Sequence, residues 1–246
     1  MATPRIPGPI RSAARELLRS RSPLQLRSRL RLALKNAVRR AQGLPSEEIE
    51  RWEERARNFG ARAVFNLGHS EGELLRVTEL QKSQLYPKLR EHLLPTDRVG
   101  LDLGCGTGRF TADLAAMTGD RAFGVDPIQS FLDLAPRSPA VEYRLMSEGR
   151  IPLEDGAVDV AWICLVLGGL REKVLLETVN EVRRVLRPGG LVFLVENTTQ
   201  ATDSAIWHFR TVAEYQRLFR PVPLELVHQY TDLGETISVL VGRAKA

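Results

Sequence analysis

Arg98-Val-Gly-Leu-Asp-Leu-Gly-Cys-Gly-Thr-Gly-Arg-Phe110 carries an apolar run into a cluster of glycines and then into a helix, and the fold turns on how it is read. Val99, Leu101 and Leu103 alternate with smaller or polar residues, as in a strand of a buried sheet, while Gly104, Gly106 and Gly108 let the backbone approach a ligand. A turn of this kind cradles a nucleoside. The nearest rival is the dinucleotide fingerprint G-x-G-x-x-G, whose third glycine packs helix on strand and whose helix N-terminus faces a pyrophosphate. Arg109 stands where that third glycine belongs. Asp102, just ahead of the first glycine, is unfavourable beside a doubly charged pyrophosphate and suits a cationic cofactor.

The neighbours of this stretch carry the next step. Arg121-Ala-Phe-Gly-Val-Asp126 reads as a second strand closed by an acid about twenty residues on, a spacing at which a carboxylate accepts ribose hydroxyls. Further along stand Arg150-Ile-Pro-Leu-Glu-Asp-Gly-Ala-Val-Asp-Val160 and Glu181-Val-Arg-Arg-Val-Leu-Arg-Pro-Gly-Gly190. Leu101-Asp-Leu-Gly-Cys-Gly-Thr-Gly108 resembles the first motif of the class I S-adenosylmethionine (SAM) dependent methyltransferases. The later segments resemble that family's second strand, its approach to the fourth strand and its turn into the fifth. The resemblance covers roughly residues 80 to 242 and implies a nucleotide-like fold with SAM at one rim of the sheet.

Composition is compatible with this. At 246 residues with 43% hydrophobic side chains, the chain holds one full α/β domain plus an extension. Its two cysteines, Cys105 and Cys164, lie in different elements with no histidine at ligand spacing, so neither a disulfide scaffold nor a metal site is expected, and a reducing, cytoplasmic setting fits. No apolar run reaches the length of a membrane span, and no signal-type segment opens the chain. The net charge of +5 hides an asymmetry: residues 1–45 hold eleven Arg or Lys against one acid, Glu16, a net +10 that leaves −5 for the rest. The high pI is a property of the extension.

Taken in order, residues 1–45 form a basic amphipathic helical extension. Leu26, Leu30, Ala33, Leu34, Ala37, Val38 and Ala41 make an apolar stripe, with Arg27, Arg31, Lys35, Arg39 and Arg40 mostly off it. Such a helix suits an anionic membrane surface, an acidic partner or an organellar import signal, and equally a packed helix with a solvated basic face. The membrane option would place residues 1–42 at the inner face of a membrane. Residues 46–96 are expected to be a helical cap: Ser46 caps a helix, 66–72 is a loop, and Leu74 to Leu94 is a helical face that Pro87 kinks or restarts.

Residues 97–246 alternate strand and helix: strands over 98–103, 121–126, 140–145, 157–165 and 190–196, with helices over 107–117, 128–135 and 171–186. Thr211-Val-Ala-Glu214 is a capping box that starts another helix, and 223–230 with 236–241 form a closing antiparallel pair. The fold class is therefore α/β: a doubly wound, mostly parallel seven-stranded sheet with helices on both faces, plus the N-terminal extension. Ligands then sit at the carboxyl ends of the strands.

Each part of SAM can be given a holder from the resemblance. Gly104 and Gly106 present backbone to the amino acid and ribose, Asp102 is similar to the acid that fixes the ammonium, and Asp126 takes the ribose hydroxyls. Pro127 and Ile128 wall one face of the adenine, and Leu145 and Met146 the other, with Cys105 and Cys164 beside the cofactor. Two departures stand out. Ser147, with Glu148 next to it, occupies the place of an aspartate that meets the adenine amino group, and glycine in Leu165-Val-Leu-Gly-Gly-Leu170 replaces a histidine.

Methyl transfer from a sulfonium needs mainly an aligned nucleophile. A hydroxyl acceptor must also lose a proton, and His208, Glu196 and His69 are the candidate bases. Tyr86, Trp207, Arg210 and Gln81 are candidates for the acceptor's surroundings; each also has an ordinary structural explanation. The expected function is O-methylation of a small molecule or saccharide, with a lipid-linked acceptor giving the extension a purpose. N-methylation of an amine or peptide is one alternative, and a SAM-binding scaffold without turnover is another. Nucleic acid is not expected as a partner. Cys164-Leu-Val-Leu stands where base methyltransferases carry Asn/Asp-Pro-Pro-Tyr/Phe, and the part of the chain beyond residue 45 is net acidic.

Overall fold

A computed structural model describes residues 46–147, 149–203 and 207–245. The basic extension and Glu148 fall outside them. Residues Glu48–Ala246 make one compact unit in which the expected cap and the sheet share hydrophobic cores.

Seven strands form one sheet: β1 Val99–Leu103, β2 Arg121–Asp126, β3 Val141–Leu145, β4 Val158–Cys164, β5 Leu186–Asn197, β6 Glu225–Asp232 and β7 Glu235–Arg243, in the order β3-β2-β1-β4-β5-β7-β6. β7 runs antiparallel to both β5 and β6, and the other pairings are parallel. The order reverses beside β1, so the ends of β1 and β4 open a crevice at that rim.

The inner strands are buried on both faces: successive side chains point to opposite sides, and apolar residues fill both sets of positions. Along β4, Ala161 and Ile163 enter the core with Leu175, Val179 and Val182 of helix α5 (Glu172–Val185). Val160 and Trp162 enter the opposite core, with Leu85 and Leu89 of helix α2 (Leu74–His92) and Leu114 of helix α3 (Thr111–Thr118). Trp162 stacks on Phe193 at 4.9 Å, and Tyr86 and Phe110 pack against Trp162 at an angle. Burying such rings contributes on the order of 2 kcal/mol each.

Boundaries move where local chemistry differs from the pattern. The expected helix over 107–117 begins only at Thr111, because the glycine turn holds the preceding residues, and the one over 128–135 shortens to α4, Gln129–Leu132. β5 starts at Leu186, before Pro188, and is longer than expected. α2 runs continuously through Pro87, so the helix does not restart there; helix packing on the sheet outweighs the one backbone donor that proline removes. Ser70 and Glu73 form a capping box inside the segment expected as a plain loop. Helix α1 (Glu47–Phe59) follows Ser46, and α6 (Val212–Leu218) begins with the expected Thr211 and Glu214 capping box.

Candidate functional site

The glycine turn ends β1 and crosses beneath a crowded space. Gly106 sits at φ 53° with Val64 of the cap only 2.7 Å from where a side chain would begin, so only glycine fits there. Two carboxylates flank the turn, both buried. Asp102 accepts from the Thr111 hydroxyl at 2.6 Å. Asp126 accepts from the amides of Gly106 and Ile128, both at 2.9 Å. Burial pushes Asp102 up to about 7, against the Thr111 bond and the Arg109 charge, and pushes Asp126 up to about 6 against its two amide bonds.

Around them, Pro127 is half-buried, while Ile128 packs into a small core with Ala56, Ala63 and Phe131. Met146 is buried and donates its amide to the Asp126 carbonyl at 3.1 Å, whereas Leu145 is exposed. Ser147 is exposed and bridges to Arg150. Cys105 is buried beside Gly124, and Cys164 is half-buried at the end of β4 with its thiol pushed up to about 12 by burial. Among the described residues no cluster of His, Cys, Asp or Glu is suited to a metal.

The loop after β4 is held from both sides of its peptide chain. Glu196, fully buried at the end of β5, accepts from the amides of Val166 at 2.9 Å, Leu167 at 2.6 Å and Gly168 at 3.2 Å, and from the Tyr215 hydroxyl at 3.3 Å. Arg210 donates to the carbonyls of Leu167 at 2.9 Å, Leu170 at 2.8 Å and His208 at 3.3 Å. Burial pushes Glu196 up to about 7, opposed by those amides and by Arg210. Both side chains, expected to face the acceptor, are committed to this loop, because loop amides and carbonyls taken out of water must find partners. The clamp also holds Leu165 at φ 58°, uncommon for a non-glycine residue.

Gly168 is part of the departure from the family's histidine, and its surroundings explain why a side chain is missing. The Trp207 indole lies 2.3 Å from where a side chain on Gly168 would begin. His208 follows, donating its amide to the Gly168 carbonyl at 2.7 Å, and its Nδ1 lies 3.0 Å from Asp203 Oδ2. Burial would raise Asp203, but the bonds from His208 and the Phe209 amide leave it lowered. His69 pairs differently, through Nε2 to Asp232 at 2.9 Å, and is 7% exposed against 25% for the His208 side chain. Tyr86 does not reach the rim. It is buried in the aromatic core, its hydroxyl donating to Asp113 at 2.7 Å, because its position on α2 faces Phe110 and Trp162.

Arg109, which stands where the dinucleotide fingerprint has its third glycine, reaches into the cap. Its Nη1 donates to Gln81 Oε1 at 2.9 Å and to Thr78 Oγ1 at 3.3 Å. The guanidinium lies 4.2 Å from the Phe65 ring centre and 4.6 Å from that of Phe110. Gln81, expected near the acceptor, is buried beneath it.

Residues 101–194 match the methyltransferase domain family. An uncharacterized methyltransferase of Mycobacterium tuberculosis is 40% identical over 114 residues, 46% of this chain and 45% of that protein. A human thiol S-methyltransferase is 30% identical over 155 residues, 59% of each chain. The chain spans about half the length of these curated relatives. The crystal structure of a SAM-dependent methyltransferase from Aquifex aeolicus has the same fold, with a TM-score of 0.54 at 18% identity over 71% of this chain and 98% of that one.

Proposed function

We propose that the chain, whose residues 101–194 match a methyltransferase domain, transfers the methyl group of SAM to a hydroxyl of a small molecule or saccharide. The residues present fit the cofactor. Gly104, Gly106 and Gly108 all sit at positive φ, so bare backbone forms the turn after β1, and each flanking carboxylate keeps lone pairs beyond those its hydrogen bonds use. Asp102 would hold the ammonium and Asp126 the ribose hydroxyls. When bound, SAM supplies a methyl group on a positively charged sulfur, with a neutral thioether as leaving group.

The observation that carries the hydroxyl reading is the His208–Asp203 pair. Asp203 engages Nδ1 at 3.0 Å, which orients the ring and leaves Nε2 to take a proton. The Glu196 and Arg210 clamp fixes the loop whose Gly168 carbonyl receives the His208 amide, so the base is tied to the end of β4. Glu196 acts here as a positioning residue.

The test is a turnover assay for S-adenosylhomocysteine with wild type and His208→Gln, over acceptors offering hydroxyl, amine or thiol groups. Turnover of hydroxyl acceptors that collapses in His208→Gln supports the proposal. Turnover confined to amines or thiols and indifferent to that substitution refutes the hydroxyl assignment. Cofactor binding with no turnover of any acceptor favours a scaffold.

A further inference from the structure

Arg109 differs from the other half-buried arginines in what it touches. Arg184, Arg187 and Arg243 each close on a carboxylate, of Glu181, Asp159 and Asp97 respectively. Arg55 and Arg210 give their donors to peptide carbonyls. Arg109 meets a neutral amide oxygen and a hydroxyl, both through Nη1, and two aromatic rings. Among the described residues no carboxylate lies within ion-pair distance of it. A guanidinium has five N–H donors in one plane, so its Nε and Nη2 edge retains capacity for a bidentate anion. The buried Asp102 carboxylate offsets part of that charge from beyond ion-pair distance, and Gln81, Thr78 and the two rings hold the guanidinium in place.

A second group packs against the apolar cluster that holds Phe110, the ring on which Arg109 lies. The Tyr230 hydroxyl, at the end of β6, is buried and has no hydrogen-bond partner among the described residues. It lies within electrostatic range of Cys164 at the end of β4, of Asp232, whose Oδ1 is engaged by His69, and of Arg109. An orphaned buried hydroxyl and a guanidinium that no carboxylate ion-pairs together describe a place for an oxygen anion. β6 lies beyond β4, β5 and β7 from the strands proposed to carry the methyl donor, and an in-line acceptor must approach from the side away from the leaving sulfur.

We propose that Arg109 and Tyr230 recognise an anionic group, a carboxylate or phosphate, carried by the methyl acceptor. This rests on the methyltransferase reading above, which it deepens by naming the acceptor's chemical class. The guanidinium takes two oxygens of the anion, and the hydroxyl donates to one of them. Arg109 is then a specificity residue: it selects acid-bearing acceptors and anchors them beside the donor.

The experiment uses the full chain saturated with S-adenosylhomocysteine and titrates inorganic phosphate, following the arginine side-chain N–H resonances. Saturable binding to wild type, lost in Arg109→Gln and weakened about tenfold in Tyr230→Phe, supports the proposal. Phosphate that fails to saturate, or that binds Arg109→Gln and Tyr230→Phe as it binds wild type, overturns it. Parallel titrations of S-adenosylhomocysteine and 5′-methylthioadenosine, which lacks the amino acid end, separate the two sources of a carboxylate. If Arg109→Gln weakens the first about tenfold or more and leaves the second unchanged, the guanidinium serves the donor and the proposal falls while the methyltransferase reading stands. Wild type that binds neither nucleoside removes both. Should Arg109→Gln not fold, Tyr230→Phe alone decides: phosphate affinity equal to wild type overturns the proposal.

Discussion

The two sides of the rim are built in opposite ways. The side proposed for the donor comes from one continuous run, Asp102 through Ile128, with two buried carboxylates whose oxygens are tied to that run's own backbone and to Thr111. The side proposed for the acceptor draws on Phe65, Gln81, His208 and Tyr230, which are spread over most of the chain. Its charge of note is a guanidinium rather than a carboxylate. A cofactor shared by a whole family needs a fixed cradle that a local motif can encode, whereas an acceptor site varies with its substrate. Substitutions on the first side should therefore move cofactor affinity, and those on the second should move turnover.

The largest expected effect tests the acceptor side. His208→Gln should lower kcat by about 10² to 10⁴, the usual worth of a general base, while leaving S-adenosylhomocysteine affinity within about threefold of wild type. Steady-state kinetics and calorimetry on one preparation check both halves. A variant that loses cofactor affinity and keeps kcat would merge the two sides.

Next comes the donor side. Asp126→Ala should weaken S-adenosylhomocysteine about a hundredfold, since a carboxylate accepting two ribose hydroxyls makes charge-assisted bonds of roughly 1.5 kcal/mol or more each. Calorimetry reads this directly, and unchanged affinity would break the ribose assignment.

These two sides were legible to different degrees, and the reason is physical. The alternation of strands and helices, both carboxylates and the glycine turn follow from apolar periodicity and a local motif, which sequence spacing records, whereas the order of the strands comes from the structure. The capping box at Thr211 is equally local. Tyr86 and Arg210 are polar residues in suggestive places, yet which way each points depends on packing partners far away in sequence: Trp162 for the first, the Leu167 and Leu170 carbonyls for the second. Arg109 lay inside the motif itself. What it touches comes from the cap, so its neighbours in sequence gave no signal of its surroundings.

A smaller effect separates positioning from proton transfer within the acceptor side. Burial raises Glu196 from 4.5 to about 7 in the folded protein. The sign follows from linkage: the stability this group contributes is fully present below about pH 4.5 and is lost as pH rises through about 7. Glu196→Gln cannot ionise, so the stability difference between about pH 5 and about pH 8 should shrink by about 2–3 kcal/mol relative to wild type. Urea denaturation at the two pH values measures it. An unaltered difference would mean that Glu196 does not titrate in this range, and the account of the buried clamp would need another source for its pH dependence.

The smallest effect concerns the second histidine and aspartate. His69 and Asp232 stand 163 positions apart in the chain, and the 2.9 Å bond between them joins the cap to the turn between β6 and β7. His208 and Asp203 lie within one short segment, and their ring is the more exposed of the two. The same pair of groups therefore does different work: the buried, long-range pair fastens two parts of the fold, and the local one holds the ring whose exposure lets its second nitrogen be reached. His69→Ala should lower stability by about 1–3 kcal/mol, because it leaves a partly buried carboxylate without its donor. In the same variant kcat should fall by less than about tenfold, a size that reflects loosened positioning rather than a missing base. Thermal unfolding and turnover, measured side by side, decide it. A stable His69→Ala protein with kcat reduced as far as in His208→Gln would exchange the roles of the two histidines.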